Sequence, residues 1–446
     1  MYYLYGKGPL NINRSRKTSM VYLVLFIYIV LQPILDLLTS LSLRLRGQDF
    51  TTGLLIRLAF LVFMGLYAMF FSKRVRNYFL LLAGFFIIHL LINQHMKPIF
   101  SVSVEVKYIV KLVYFNVALL FSFVLFSREG GIRRHKTIDA IVIAITLMGI
   151  IMIVSGLTGT AFNSYSWGKE GHVGWFYAGN EIGAILAMGF PVVVLTALQK
   201  TNWAWISVLL VIYSLFALGT KVGFGAIVIV LLLALLISLF GVVKNRSGWI
   251  RPILLMLLFA GTSCYFPFSS IARNMNMHLN LVESNQSQDE VKTETPGTAG
   301  TPVVQMENLV LSGREHFLSI QKQYFSEAPI TQKLFGMGYG GNYPQQPKLI
   351  EMDFYDVFYS LGLFGFILYF IPLAWILVQT VRYALRYLPE SCTIRNVLIA
   401  AGAVLGLGIA FTAGHVLTAP GVSIYLGLLL AYLMTILKDQ SGEKGL

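Results

Sequence analysis

The sequence predicts an all-α polytopic membrane protein of about twelve transmembrane helices with one large extracytoplasmic loop, and three observations predict it. The first is composition. Of 446 residues, 56% are hydrophobic and 12% charged, against about 25% charged in soluble domains. That charge density cannot cover a globule of this size with polar surface, which excludes a soluble multidomain enzyme. The second is twelve apolar runs, each near the roughly 20 residues that a bilayer core requires. The third is the placement of the cations between those runs. The net charge is +14. Such an excess indicates nucleic acid only where it clusters on a soluble face, and here it does not.

Taken in order, the runs fall at roughly 20–43, 51–71, 77–93, 106–127, 138–160, 175–198, 203–219, 223–243, 249–268, 353–381, 394–414 and 417–437. The first follows Lys7, Arg14, Arg16 and Lys17. It is longer than the apolar region of a signal peptide and lacks a small-residue cleavage site, so it reads as a retained helix. Thr220-Lys221-Val222 alone separates the seventh and eighth, which predicts a tight hairpin. With the N-terminus inside, 20 of the 34 cations fall on the cytoplasmic side, four in short outer loops and six in the long loop. The positive-inside rule then places both termini in the cytoplasm. Localisation in the cytoplasmic membrane, multi-pass, is the expectation that follows.

The chain divides into residues 1–268 with the first nine helices, 269–350 as the outer loop, and 351–446 with the last three helices and a short cytoplasmic tail. Within the loop, 283–304 is polar and rich in Pro, Gly and Thr, a composition expected to be disordered. Residues 305–335 carry Leu309, Leu311, Phe317, Leu318, Tyr324 and Phe325, which suits a helix or two. Ala328-Pro329 ends that stretch, and Gly336-Met337-Gly338-Tyr339-Gly340-Gly341 makes a flexible turn.

Four cations remain, inside or at the rim of helices: Arg57, Lys107, Lys111 and Lys221. Charges at membrane depth are costly and mark function unless paired. All four fall toward the outer ends of their helices, as do Asp36, His89, Asn180, Glu181, Glu351, Asp353, Asp356 and His415. Lys107 and Lys111, four residues apart, share one helix face. The polar groups thus define one plane in the outer leaflet. Pairing with Asp36, Glu181 and the acids near residue 353 is the plain structural reading, and snorkelling of Lys107 and Arg57 to headgroups is a second. The functional reading is a site for an anionic headgroup, since Arg and Lys together hold phosphate. No metal site is expected: His89, His172, His316 and His415 are scattered without ligand spacing, and Cys264 and Cys392 are too few for a disulfide framework or structural metal. The glycine run at 336–341 lacks the preceding strand and the Gly-Lys-Ser/Thr ending of a nucleotide loop.

Four segments, mainly within residues 175–370, resemble the O-antigen ligase and O-antigen polymerase superfamily. Ala178-Gly179-Asn180-Glu181-Ile182-Gly183-Ala184 is similar to its Asn-containing start of a middle helix. Gly219-Thr220-Lys221-Val222-Gly223 resembles its Ser-Arg-Gly hairpin, with Lys for Arg. Ser312-Gly313-Arg314 followed by Leu334-Phe335-Gly336-Met337-Gly338 resembles its Ser-Gly-Arg helix and Gly-x-Gly turn. Glu351 through Gly362 and Gly365 resembles the segment that opens with His-Asn and ends in Leu-Gly-x-x-Gly.

The resemblance implies a helical glycosyltransferase of the C type (GT-C). Such an enzyme moves glycan from undecaprenyl diphosphate to an acceptor hydroxyl, on the outer face, without metal or other cofactor. Its partners would be the lipid-linked glycan, an acceptor glycan, membrane lipid, a flippase and a chain-length regulator, and not nucleic acid. Arg314 and Lys221 would hold the diphosphate. Arg57, Lys107 and Lys111, which enter from depth and not from a motif, would support them, and Asn180, Glu181 and His415 would complete the binding site. In ligases of the family a His at the start of the late helix is the proposed base, and Glu351 stands at that position here, with Asp353 as the nearest substitute. A carboxylate can take the proton of a sugar hydroxyl. The acidic variant points to a polymerase of an exported polysaccharide over a ligase acting on an envelope acceptor. A twelve-helix transporter or flippase is the rival from another class. It would show two related halves and a midplane site, and neither is visible in the sequence. A structural subunit without chemistry is the remaining reading.

Overall fold

The computed structural model describes residues 12–46, 51–128, 132–165, 168–199, 202–245, 248–277 and 313–441. The polar stretch 283–304 lies outside the described residues. Helices form wherever an apolar run sits between polar breaks. They are α1 (Ile12–Arg46), α2 (Thr52–Phe71), α3 (Lys73–Met96), α4 (Val102–Arg128), α5 (Ile132–Leu157), α6 (Gly179–Gln199), α7 (Ala204–Ala217), α8 (Lys221–Asn245) and α9 (Ile250–Tyr265). After α9 come α10 (Arg314–Glu327), α11 (Ile330–Phe335), α12 (Asp353–Arg386), α13 (Leu388–Ser391), α14 (Ile394–Thr412) and α15 (Pro420–Gln440). Among the described residues the only strand-like pairing is the isolated bridge between Asn163 and His172.

Eleven of these helices are long and apolar enough to cross a membrane, so the chain is an all-α polytopic membrane protein. The seventh apolar run folds as α7, with 14 residues. At 1.5 Å per residue that is about 21 Å, short of a hydrocarbon core of about 30 Å. The bundle is built around α4, α6 and α15. Of their apolar segments 78%, 94% and 94% is buried, against 17% for α9 and 22% for α2. α4 and α15 pack on each other most extensively, with α14 against α6. Apolar side chains point outward on the peripheral helices, among them Leu66 and Phe70 on α2, Leu80 and Ile87 on α3, and Leu257 on α9. In water this surface would be prohibitive; in lipid it costs nothing.

One irregularity positions the site. α12 is broken at Gly362, whose φ is +68°. Carbonyls freed by the break are taken by the incoming loop after α11: Met337 N–H donates to Tyr359 O and Gly338 N–H to Ser360 O, both at 3.0 Å. Gly336, also at positive φ, lies backbone to backbone with Gly362, and a Cβ on either would collide with the other segment's main chain. Irregular backbone within a spanning helix is tolerable only when protein groups satisfy it. The loop is further fastened from α3 and α4. Asn93 Nδ2 donates to Gly336 O at 3.1 Å. Lys97 Nζ donates to Glu105 Oε1 at 2.5 Å and to Tyr339 O at 2.6 Å, and Glu105 accepts from Tyr339 N at 2.8 Å. This ion pair is almost fully buried, and burial pulls the Lys97 amine down while the Glu105 charge opposes it. Residues 314–350 thus form a cap bonded onto one end of the bundle.

Candidate active site

The two acids in the first turn of α12 act on the main chain. Asp356 folds back to accept from Ile350, Glu351 and Met352 N–H at 2.8, 3.0 and 3.1 Å. Asp353 reaches across to the loop between α14 and α15. Its Oδ1 accepts from His415 N and Thr418 Oγ1 at 3.1 and 2.9 Å, and its Oδ2 from Val416 N and Leu417 N at 2.8 and 2.7 Å. Together they clamp two short segments, 350–352 and 415–418, against each other. Glu351 and His415 are the residues so placed, with φ of +66° and +59°. Non-glycine residues adopt this region at a cost of about 1–2 kcal/mol each, and such strain is held where surroundings over-determine it, commonly at functional sites.

The Glu351 carboxylate lies 3.7 Å from Arg314 Nη2 and 3.8 Å from His415 Nε2. Its side chain is 42% exposed, which leaves room for a substrate. The neighbouring imidazole holds the Glu351 carboxyl below its ordinary value against the effect of burial, with Arg314 and Lys348 adding to the lowering. Burial opposes protonation of His415, but the Glu351 contact and the charges of Glu181, Glu351 and Asp353 outweigh it and raise the imidazole above its ordinary value. At mildly acid pH the pair is carboxylate and imidazolium.

Glu181, at the start of α6, lies within electrostatic reach of His415 and also of Asp36, Arg57 and Lys111. A single polar region therefore runs from Arg314 through Glu351, His415 and Glu181 to Arg57. Arg57 is engaged there: it donates to Asp36 Oδ1 at 2.5 Å and, from Nε and Nη2, to Gln32 Oε1 at 3.2 Å. The second Asp36 oxygen is buried without a hydrogen-bond partner among the described residues. Lys111 and Lys107 are both exposed on one face of α4, and Asn180 is exposed beside Glu181. Lys107, a turn nearer the start of α4, is not among the charges that act most strongly on Glu181. Lys221 is partly buried at the start of α8, facing the charge of Lys169. The structure thus joins Arg314, Glu351, Asp353, His415, Glu181, Arg57 and Lys111. Lys221 lies with Lys169, and Lys107 and Asn180 sit exposed on elements that reach the region.

Sequence reasoning missed three contributors: Lys348 beside Glu351, Tyr165 within reach of the Arg314 charge, and Lys169. Each lies in a loop with no periodicity to flag it. Asp353 and Asp356 were conspicuous in sequence, but their four and three donors could not be read there.

Four motif segments thus meet at one end of a membrane bundle, and a family model describes the same chain. The model for O-antigen ligase-like membrane proteins matches residues 18–440. The chain belongs to that family. No curated protein matches it significantly. An O-antigen ligase-like protein is a multi-pass membrane enzyme of glycosyl transfer, with a polymerase or ligase role, and its substrates are lipid-linked glycans within membrane lipid.

Proposed function

We propose that this O-antigen ligase-like protein transfers glycan from undecaprenyl diphosphate to an acceptor hydroxyl, with inversion and without a metal, and that it acts as a polysaccharide polymerase. In this reading the capped end of the bundle faces the outside of the cytoplasmic membrane and both termini lie within. The observation that carries it is the clamped Glu351–His415 pair with Arg314 against it, at the meeting of the late helix, the Ser-Gly-Arg helix and the α14–α15 loop. A carboxylate kept ionised beside a cation has the parts needed for hydroxyl attack on an anomeric carbon.

The acceptor oxygen bonds to the anomeric carbon, and the bond from that carbon to the diphosphate oxygen breaks. The acceptor proton goes to the Glu351 carboxylate. The diphosphate leaves with the electron pair, and Arg314 and Lys221 meet its charge, with Lys111 and Lys107 behind them. Donors already in place for developing charge need no reorganisation as the bond breaks. Arg57, engaged by Asp36 and Gln32, shapes the floor near Glu181, and Asn180 lies at its edge. Asp353 is a positioning residue: four donors occupy its two oxygens, and its work is to hold the His415 loop.

A ligase is the second reading, and a specific observation favours it. The Glu at the family's His position is not without an imidazole, because His415 stands 3.8 Å from it. Deletion followed by gel analysis of lipid-linked glycan separates the two. A lost polymerase leaves single repeats on the lipid, and a lost ligase leaves long chains there. If Arg314→Ala and Glu351→Gln both keep near-normal product in membranes loaded with lipid-linked glycan, the assignment of this site is wrong.

A further inference from the structure

At the opposite end of the bundle from Glu351 a cavity of about 1250 Å³ opens where α6, α8, α9 and α14 end or begin. Its lining includes Gln199, Asn202, Trp205, Phe240, Arg251 and Arg395, and no described lining residue is acidic. Glu351 precedes α12 and Cys392, on this cavity's wall, follows it, so the length of α12 lies between the two sites.

Three observations say what such a cavity would take. Two guanidiniums line a space with no carboxylate among its described lining residues, and guanidinium forks match phosphate oxygens. One wall is apolar and open to the bundle's exterior: Phe240 is 81% and Ile250 80% exposed. Trp203 and Trp249, which cap α7 and α9, are half exposed at the same level. Indoles at helix ends mark the boundary between headgroups and hydrocarbon. A cationic pocket between helix ends at that depth, with an apolar exit, fits a phospholipid with its phosphate inside and its chains along α8 and α9.

We propose that this cavity is a binding site for one anionic phospholipid of the leaflet opposite the catalytic end, with Arg251 and Arg395 on its phosphate. The site is independent of the reading of the Glu351 end.

The test uses full-length protein purified in detergent and offered equal phosphatidylglycerol and phosphatidylcholine of matched chains, with retained lipid read by native mass spectrometry. The wild type retains phosphatidylglycerol over phosphatidylcholine by about ten-fold or more, and Arg251→Gln/Arg395→Gln loses that preference. Arg251→Lys/Arg395→Lys keeps a preference because the charge stays. Lys322→Gln, an exposed cation on α10 at the far end, leaves retention as in the wild type. If the double Gln variant does not fold, the single variants decide, each losing roughly five-fold. Equal retention of the two lipids by the wild type, or an unchanged preference in the Gln variants, overturns the proposal. So does loss of preference in Lys322→Gln, which would mark a response to overall charge and not to this cavity. Full displacement by millimolar inorganic phosphate overturns it too, since that would mark a soluble-anion site.

Discussion

Replacing Asp353 and Glu351 separately distinguishes a clamp from a base. Asp353→Asn leaves one acceptor oxygen where two served His415 N, Thr418 Oγ1, Val416 N and Leu417 N at 2.7–3.1 Å. Its new amide N–H₂ then faces two donors, and two charge-assisted bonds are lost. At about 1.5–3 kcal/mol each, the cost is about 3–6 kcal/mol, a large fraction of a marginal stability. Glu351→Gln removes a half-exposed carboxylate with contacts of 3.7 and 3.8 Å. Such pairs contribute about 1 kcal/mol or less, whereas loss of a general base costs roughly 10²–10⁴-fold in rate. The assay is thermal unfolding of purified protein alongside glycan transfer per folded molecule. Asp353→Asn should melt far below the wild type. Glu351→Gln should melt close to it and be nearly inactive. A stable but inactive Asp353→Asn together with an active Glu351→Gln would reverse this division of roles and make Asp353 the base.

Other expectations are as specific. Arg314→Ala should lower turnover about 10²–10³-fold, the cost of removing one donor to a leaving charge, with partial recovery in Arg314→Lys; steady-state transfer of lipid-linked glycan reads it. The pH profile should plateau across the window in which the pair is carboxylate and imidazolium. Glu351 is lowered, so its ionised form and the stability it contributes are lost only as pH falls below the ordinary 4.5. His415 is raised, so its charged form persists as pH rises past the ordinary 6.5 and is lost above its folded value. In His415→Gln the acid limb should move up, because the imidazole is the largest cause of the Glu351 lowering; transfer rate against pH checks both limbs. Gly362→Ala should destabilise by at least about 1–2 kcal/mol from its left-handed φ alone, and by more from collision with the Gly336 backbone. Gly225→Ala in α8, with nothing near its Cβ, should be neutral or gain about 0.5–1 kcal/mol; paired melting curves measure the contrast.

The bundle was legible because hydrophobic runs of bilayer length have few other fates. Each of the twelve runs carries a helix; α7 falls below the usual spanning length, yet it returns from the end of α6 to its start, where Leu218 and Thr220 lie beside Gly183. Depth singled out Arg57, Lys111, Glu181 and His415 because charge in lipid is conspicuous wherever it falls. Partners were not legible. Arg57 meets Asp36 from 21 residues away, and Glu351 meets His415 across 64 residues, separations that no local periodicity encodes. Glu351 at positive φ was equally hidden, since it is not among the residue types that favour a left-handed backbone. The Gly336–Gly341 segment reads in sequence as a loose turn. Backbone bonds to the broken α12 and a buried Lys97–Glu105 pair hold it instead, because a break in a spanning helix needs donors and this loop supplies them.

Whether glycan leaves a lipid diphosphate at Arg314, Glu351 and His415 is decided by reconstitution. Full-length protein in vesicles is given undecaprenyl-diphosphate-linked repeat units, and released undecaprenyl diphosphate is measured together with glycan length. The wild type should release the lipid as the glycan lengthens, while Arg314→Ala and Glu351→Gln, folded and lipid-embedded, should release almost none. Release by both variants at the wild-type rate would place the chemistry elsewhere.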